Sequence, residues 1–284
     1  MHTVTLPGGE AIPALGLGTW RLGESARAAA AEVAALRLAL ELGYRLFDTA
    51  EMYGEGGAEE RVGAAVAGAL RAGDLRRDEL FIVSKVYPHN ASRSGTIAAC
   101  ERSLKRLKLE HIDLYLLHWR GAHPLADTLD AFETLKRQGR IRHWGVSNFD
   151  TDDMEELSSV AGGARCAADQ VYYSLSQRGA EFDLLPWLRS RSVAAMAYCP
   201  IDQGALARDA TLRAIGERHR VSAAQVALAW MLAQPGVVAI PKAAREAHLR
   251  ENLAAASLAL NAADHVELDR QFAPPRRKEP LAMS

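Results

Sequence analysis

The feature that most constrains the fold of this chain is a regular alternation of short apolar stretches with longer segments of helical pattern. Such alternation predicts parallel strands joined by helices through right-handed crossovers. Eight units in 284 residues fit a (β/α)8 TIM barrel, whose usual length is about 250 residues. The predicted strands cover residues 15–20, 44–49, 80–85, 112–119, 141–146, 169–172, 193–198 and 237–240.

Three further segments lie outside this alternation. Residues 3–15 have the pattern of a β-hairpin around a Pro-Gly-Gly turn. Extra helices are predicted over residues 209–220 and 264–272, the second opening at Asp264. No linker or low-complexity segment divides the chain. The sequence therefore predicts one α/β domain over residues 1–284, a barrel with an N-terminal β-hairpin and two extra helices.

A doubly wound nucleotide-binding domain is the alternative architecture for alternating strands and helices. It requires Gly-x-Gly-x-x-Gly between the first strand and the first helix. Here Gly16 and Gly18 lack a third glycine at that spacing, and Trp20 follows them. The barrel is therefore the favoured prediction.

Composition argues against several classes of function. A net charge of -1 and a pI of about 6.8 imply no basic face for nucleic acid. No apolar stretch is long enough to span a membrane, and the N-terminus has no signal-peptide pattern. Cys100, Cys166 and Cys199 are far apart and odd in number, which indicates a reducing cytoplasm. The abundance of Arg and Ala is typical of a GC-rich bacterial source.

Polar residues end almost every predicted strand. In a barrel, the C-terminal ends of the strands face one mouth, where active sites are built. Each residue alone could serve packing or solvation, but their coincidence at one mouth favours a functional site. They are Asp48, Lys85, His118, Ser147, Asn148, Gln170, Tyr198 and Lys242, with Tyr53 on the loop after the second strand.

Four of these residues suggest proton transfer by a phenol. A free tyrosine has a pKa near 10, too high for efficient acid–base chemistry at neutral pH. We expect Lys85 to lower the pKa of Tyr53, while Asp48 keeps the lysine charged and oriented. His118 would donate a hydrogen bond to a carbonyl. Proton donation alone reduces nothing, so a hydride source must bind. No metal site is predicted, because the histidines lack ligand spacing.

Short motifs surround these residues in a fixed order along the chain. They cover residues 13–20, 47–54, 84–86, 112–119, 145–149, 170, 198–200, 240–243 and 251–252. Together they resemble the aldo-keto reductases, a family of NAD(P)H-dependent (β/α)8 barrels. The resemblance spans nearly the whole chain and places the family's catalytic tetrad on Asp48, Tyr53, Lys85 and His118.

The resemblance also implies a mechanism and a cofactor site. Tyr53 would protonate the carbonyl oxygen as hydride arrives from the nicotinamide. The implied nicotinamide contacts are Ser147, Asn148, Gln170 and the stacking ring of Tyr198. The implied contacts along the pyrophosphate are Pro200, Ile201, Gln203 and Gly204; Lys242 would meet the adenosine phosphate, and Glu251 and Asn252 the adenine. The predicted cofactor site is completed by Gly18, Thr19, Trp20, Asp48, Cys199, Ile240, Pro241, Ala243, Arg245 and His248. The predicted substrate pocket is Trp20, Tyr53, Tyr87, His118 and Trp119.

Two positions depart from the pattern of relatives that prefer NADPH. Those relatives often carry a Ser after the lysine and a later Arg that contacts the 2′-phosphate, where this chain has Ala243 and His248. Arg245 lies nearby and could substitute, because a guanidinium pairs well with phosphate. Since Lys242 is present, NADPH is the expected cofactor, with NADH as the alternative.

The predicted pocket is open and tolerant. Arg120 follows the His118-Trp119 pair, where many relatives have proline, and would place a cation at the rim that favours a carboxylate or a second carbonyl. The chain ends soon after Phe272, so the loop that narrows specificity in larger relatives is short. The expected substrates are small aldehydes and α-oxo aldehydes such as methylglyoxal, reduced to alcohols by a monomer.

Two other functions stay open on this fold. A nucleotide-sensing regulatory subunit, as in potassium-channel β-subunits, would also bind NADPH, so the fold does not separate it from an enzyme. The chain starts a few residues before the hairpin, which argues against an added partner-binding segment. A metal-dependent hydrolase would use Asp48 and His118, but the sequence offers no good third ligand.

Overall fold

Eight parallel strands form a barrel in the computed structural model, which describes residues 2–283; the two end residues of the predicted domain lie outside this range. The strands pair in chain order. Parallel bridges join Leu15 to Ala239 and Gly18 to Lys242 and so close the sheet. This confirms the predicted barrel and excludes the doubly wound alternative. The hairpin strands are β1 (Thr3–Thr5) and β2 (Ala11–Pro13), and the barrel strands are β3 (Leu17–Gly18), β4 (Leu46–Asp48), β5 (Phe81–Val86), β6 (Ile112–Leu117), β7 (Ile141–Ser147), β8 (Ala168–Tyr172), β9 (Ala194–Tyr198) and β10 (Val237–Ala239).

The helices lie between and after the strands, as the alternating pattern predicted, and the two extra helices have ends shifted by one or two residues. They are α1 (Ala29–Leu42), α2 (Gly57–Ala72), α3 (Arg93–Leu107), α4 (Leu125–Arg137), α5 (Thr151–Ser159), α6 (Leu184–Ser190), α7 (Ala210–His219), α8 (Ala223–Leu232), α9 (Glu246–Ala255) and α10 (Ala262–Gln271). The two extra helices are α7 and α10. Within residues 2–283, no helix has the length and apolar character needed to cross a bilayer.

The two-residue period of the strands decides which side chains reach the mouth. Successive side chains of a strand point to opposite faces of the sheet. On β5, Phe81 and Val83 belong to the cluster that fills the barrel, whereas Ile82 and Val86 pack with the surrounding helices. Lys85, two positions after Val83, therefore continues the interior row. The same two-residue spacing places four further side chains on the interior row, each two positions after a residue of the interior cluster. They are Asp48 after Leu46, His118 after Leu116, Gln170 after Ala168 and Tyr198 after Met196.

The N-terminal hairpin closes the opposite, lower end of the barrel. Its Leu6 and Ile12 are almost fully buried in the interior cluster. The Glu10 carboxylate on the hairpin accepts hydrogen bonds from Arg142 at 2.8 Å and from the His143 ring at 2.7 Å. Apolar packing and these hydrogen bonds fill this end, which leaves the upper mouth for chemistry.

Helix α10 starts earlier than predicted. The sequence placed its opening at Asp264, but the helix begins at Ala262, and Asn261 is the N-cap. The Asn261 side chain accepts from the backbone N–H of Ala263 and of Asp264, while the Asp264 carboxylate accepts from the Asn261 N–H at 2.9 Å. Asn is as effective an N-cap as Asp, and the acid at the third position completes a capping box.

Asp264 also fastens α10 to α7, which gives a test of stability. Burial opposes its ionisation, but hydrogen bonds from the Asn261 backbone, Arg218 and His219 outweigh burial and lower the pKa of Asp264 to about 2. The stabilisation is therefore present above pH 3.8 and is lost as the pH falls through about 2. We expect Asp264→Asn to lower the free energy of unfolding by roughly 1–2 kcal/mol at pH 7, measured by urea denaturation.

A matched control uses the second acid on the same arginine. Glu267 is more exposed than Asp264 and contacts Arg218 at 2.7 Å. We expect Glu267→Gln to cost only a few tenths of a kcal/mol, because exposed ion pairs contribute little. Equal losses in the two variants would contradict the role given to Asp264.

Candidate active site

Three titratable side chains converge at the mouth above β4 and β5. The Lys85 ammonium is fully buried and donates to the Asp48 carboxylate at 2.8 Å and to the Thr49 carbonyl at 2.9 Å. It also lies 3.2 Å from the Tyr53 hydroxyl and 4.8 Å from the centre of the Tyr53 ring. The predicted trio of carboxylate, ammonium and phenol is therefore assembled in one place.

Neighbouring strands hold the carboxylate in this position. The second Asp48 oxygen accepts a hydrogen bond from the Gln170 amide at 2.8 Å. The Thr19 hydroxyl and backbone N–H both donate to the Asp48 backbone carbonyl, at 2.9 and 3.0 Å. Gln170, predicted to hold a carboxamide, is thus also part of the support of Asp48.

His118 completes the group as a neutral imidazole. Its ring meets the Tyr53 ring edge-on, with centroids 5.7 Å apart. Burial and the nearby Lys85 charge hold the pKa of His118 well below 6.5. Its Nδ1 atom is buried and has no hydrogen-bond partner within residues 2–283. A neutral ring carries one N–H, so His118 can act as the single hydrogen-bond donor that the sequence predicted.

The pKa of Tyr53 moves in the direction opposite to our expectation. Burial, with the Asp48 charge as a second cause, raises the pKa of the Tyr53 hydroxyl well above 10. Burial likewise lowers the pKa of Lys85, although contact with Asp48 opposes this. The expectation from sequence counted the ammonium and left out desolvation, which disfavours the phenolate in a dry site. Tyr53 is therefore a phenol at neutral pH, the form that donates a proton.

Aromatic side chains form one wall of the mouth. The Trp119 ring lies 5.0 Å from the His118 ring and 6.1 Å from the Tyr87 ring. Tyr87 is fixed by a residue that no sequence argument singled out, Glu51, whose buried carboxylate accepts from the Tyr87 backbone N–H at 2.8 Å. The available signal was an acid inside the motif over residues 47–54, three positions after Asp48. Trp20 is half-buried and packs against the Arg21 guanidinium.

Arg120 does not supply the free cation expected at the rim. Its guanidinium donates to Glu156 on α5 at 2.8 Å. Burial raises the pKa of the nearby Asp153, and the Arg120 charge opposes this rise. Arg120 is therefore paired with an acid of α5 and is held toward that helix. Arg120 therefore gives no support for a preference for carboxylate substrates.

The seam of the barrel brings together the predicted residues from β3 and β10. Gly18 donates its backbone N–H to the Pro241 carbonyl at 3.1 Å and pairs with Lys242. A Cβ at Gly18 would lie 2.8 Å from the Ile240 carbonyl oxygen, so only glycine fits there. Ala243 is buried directly after this seam.

The first turn of α9 has the donors that a phosphate requires. Arg245, the N-cap residue of α9, and Lys242, which lies shortly before it, are both exposed, and the backbone N–H groups and dipole of the helix N-terminus favour anions. Arg245 donates to the His248 ring at 2.9 Å. These residues fit the phosphate of a dinucleotide. Asn252 instead lies buried beside the Tyr44 hydroxyl. Burial raises the pKa of Tyr44, and the hydrogen bond with Asn252 offsets part of this rise. Glu251 is partly exposed.

The predicted nicotinamide contacts form a connected group. The Tyr198 hydroxyl donates to the Asn148 side-chain oxygen at 2.8 Å, and the Asn148 amide donates to Ser147 and to the His118 carbonyl, both at 3.1 Å. Ser147 donates to the Gln170 carbonyl at 2.7 Å. Polar groups and an aromatic face thus line the mouth beside the tetrad, as nicotinamide binding requires.

A closed barrel with a buried Asp-Lys pair against a phenol and a neutral imidazole defines a class of reductases. Residues 14–271 match the model of the aldo/keto reductase family. The chain belongs to the aldo/keto reductase family, as its motifs predicted, and is an oxidoreductase.

Two named relatives are similar over most of their length. Methylglyoxal reductase YeaE of Escherichia coli (strain K12) is 46% identical over 99% of this chain and 98% of its own. Glyoxal reductase of Bacillus subtilis (strain 168) is 38% identical over 88% of this chain and 85% of its own. A crystal structure of an aldo/keto reductase from Klebsiella pneumoniae, in complex with NADP and acetate, shares 45% identity and a TM-score of 0.94 over 99% of both chains.

Proposed function

We propose that this protein reduces small aldehydes and α-oxo aldehydes such as methylglyoxal to alcohols, with NADPH as cofactor and Tyr53 as proton donor. The observation that carries this proposal is the contact between the buried Lys85 ammonium and the Tyr53 hydroxyl, 3.2 Å apart, with Asp48 on the other side of the lysine. The names of the YeaE and glyoxal reductase relatives support the substrate class.

The chain offers binding groups for each part of the cofactor. Ser147, Asn148 and Gln170 would hold the carboxamide, the partly exposed ring of Tyr198 would stack on the nicotinamide, and Lys242 would pair with the adenosine phosphate. When bound, NADPH supplies the hydride that carbonyl reduction requires. The NADP complex of the Klebsiella relative supports this cofactor. NADH stays the alternative, because Ala243 and His248 depart from the common NADPH pattern.

The roles of the tetrad follow from charge and position. The Tyr53 hydroxyl donates its proton to the carbonyl oxygen as negative charge develops there. Lys85 stabilises the phenolate left behind, because an ammonium at hydrogen-bond distance favours the charged form of its neighbour. Asp48 orients the lysine, and the neutral His118 donates to the carbonyl and fixes its direction. The buried setting strengthens each of these interactions.

The experiment that tests the proposal is an NADPH-oxidation assay with methylglyoxal, run beside glyoxal and a simple aldehyde. Binding of NADPH and NADH is measured in parallel by quenching of tryptophan fluorescence, since Trp119 and Trp20 lie at the mouth. We expect NADPH-dependent reduction with α-oxo aldehydes among the better substrates. Tight NADPH binding without turnover of any carbonyl would contradict the enzyme and favour a nucleotide sensor.

The pH dependence gives a second check on the tetrad. Because the pKa of Tyr53 is raised well above 10 and that of His118 lies well below 6.5, neither group titrates near neutrality. We expect kcat/KM for reduction to stay flat between about pH 6 and pH 9. If kcat/KM of the wild-type protein changed with a midpoint near pH 6.5, and this change were absent in His118→Gln, the neutral state assigned to His118 would be contradicted.

Other aspects of the protein are proposed on narrower support. One working domain over residues 1–284 is supported by the pairing of the first and last barrel strands. A monomer is supported by the small number of large exposed apolar side chains among residues 2–283, which are Phe182, Val266 and Met283. The near-neutral net charge argues against a role in nucleic-acid binding. A bacterial cytoplasm is supported by the bacterial sources of the named relatives. Neither alternative function has an observation in its favour, and residues 2–283 offer no group of three metal-ligating side chains for a hydrolase.

A further inference from the structure

A single carboxylate fastens the loop after β9 to the end of β8 and to the loop that follows β8. One oxygen of Asp202 accepts the hydroxyl hydrogen bond of Tyr172, and the other accepts from the Ser176 hydroxyl at 2.9 Å. Both oxygens are thus used, one by the last residue of β8 and one by the loop that follows it. Neither Asp202 nor its two partners belong to the predicted tetrad or to the predicted cofactor contacts.

The backbone of this loop needs such an anchor. Cys199, Asp202 and Gln203 have φ values of +49°, +48° and +49°. Aspartate tolerates the left-handed region, whereas Cys199 and Gln203 are strained there, and such conformations persist only where surrounding contacts impose them. The two hydrogen bonds to Asp202 are contacts of this kind, since they join the strained segment to the end of a barrel strand.

The anchor reaches the proposed nicotinamide site through an aromatic ring. Tyr172 stacks on Tyr198 with centroids 5.4 Å apart and an interplanar angle of 29°. The Tyr198 hydroxyl donates to Asn148 at 2.8 Å. Asp202 therefore orients Tyr172, which supports one face of Tyr198, while Asn148 fixes the edge of that ring.

We propose that Asp202, acting through Tyr172 and Ser176, is a positioning residue that holds loop 199–204 and the Tyr198 ring in the conformation that retains the nicotinamide cofactor. This inference rests on the proposed function, because it needs a bound dinucleotide. A preorganised site binds more tightly, because less ordering is left to occur on binding. Differences of this kind between related variants act mostly on the dissociation rate.

The decisive measurement is the rate of NADPH release, followed by stopped-flow fluorescence after displacement with excess NADP+. Tyr172→Phe removes the hydroxyl that binds Asp202 and keeps the ring that stacks on Tyr198. We expect release to accelerate about tenfold, the effect of losing a hydrogen bond to a charged group. Ser176→Ala should accelerate release less, because it leaves the Tyr172 bond in place.

The neighbouring tyrosine is the matched control. The Tyr173 hydroxyl also donates to a carboxylate, that of Glu181, at 2.8 Å, and Tyr173 is likewise buried. We expect Tyr173→Phe to release NADPH at the wild-type rate. Equal release rates in Tyr172→Phe and Tyr173→Phe would overturn the proposal.

A double-mutant cycle on the NADPH release rate tests whether the Tyr172 hydroxyl acts through Asp202. Asp202→Gly removes the carboxylate and tolerates the positive φ, so added strain does not obscure the result. In that background Tyr172→Phe should have no further effect, and a persisting tenfold acceleration would overturn the proposal. Asp202→Asn, which keeps one uncharged acceptor and tolerates the left-handed conformation, should release NADPH at a rate between those of the wild type and Asp202→Gly; release as fast as from Asp202→Gly would overturn the proposal.

Two failures are distinguishable in this design. If the wild-type protein shows no NADPH binding, the proposed function fails and the inference falls with it. If the wild-type protein binds NADPH and all anchor variants release it at the wild-type rate, only the inference fails.

Discussion

Tyr53→Phe is expected to lower kcat/KM for methylglyoxal reduction by about 10²–10⁴-fold, the usual contribution of a positioned proton donor. The substitution removes one oxygen atom and keeps the ring that meets His118 edge-on. The affinity for NADPH should change less than about twofold, because the lost hydroxyl contacts Lys85 and, in the proposed mechanism, would meet the substrate carbonyl rather than bind the cofactor. Steady-state kinetics and fluorescence quenching measure the two quantities separately.

Tyr115→Phe is the control for this substitution. Tyr115 is fully buried on β6 and faces the helices, away from the mouth of the barrel. Its loss should leave kcat/KM unchanged. Wild-type turnover by Tyr53→Phe would rule out the phenol as proton donor, whereas an equal fall in both variants would point to a general packing defect.

Lys85→Met is expected to damage both stability and activity. The ammonium is fully buried and pairs with Asp48 at 2.8 Å. Removing one member of a buried pair leaves an uncompensated charge and typically costs about 3–5 kcal/mol of unfolding free energy. Activity should fall by roughly 10²-fold or more, since the Tyr53 phenolate loses its stabilising charge. Urea denaturation and NADPH oxidation measure the two effects.

The double variant Asp48→Asn, Lys85→Met separates the two causes. Replacing a whole buried ion pair by neutral groups is often nearly neutral for stability, and the side-chain amide introduced at position 48 would keep an acceptor for Gln170. We expect the double variant to recover most of the lost stability and none of the activity. Lys105→Met, on the exposed face of α3, should change stability by less than about 0.5 kcal/mol. A stable, active Lys85→Met protein would contradict the proposed role of the lysine.

The barrel and its tetrad were predictable because two simple periods determine them. Strand and helix segments alternate with clear boundaries, and the two-residue period puts Asp48, Lys85 and His118 in the last interior layer of their strands. Tyr53 required the motif as well, since a loop residue has no period to follow. These predictions depended on the strand period and on residue type, and they did not require the distances between side chains.

Predictions that required solvation or a choice among partners were wrong. The pKa of Tyr53 rises because burial disfavours the phenolate and the Asp48 charge adds to this rise, and such a balance of desolvation and charge depends on distances that a sequence does not contain. Arg120 pairs with Glu156, since α5 brings acids closer than any substrate pocket does. Helix α10 begins at Ala262 because Asn261 and Asp264 cap it jointly. The role of Asp202 was not predicted, because its partners lie at the end of β8 and in the loop that follows, far from Asp202 in the sequence.

The hairpin at the lower end of the barrel has a consequence for protein engineering. Because Leu6 and Ile12 already fill that end, nothing at the base needs to be redesigned when the loops at the mouth are changed. Libraries that randomise those loops while keeping Glu51 and Asp202 as anchors should yield folded catalysts with new carbonyl preferences at high frequency.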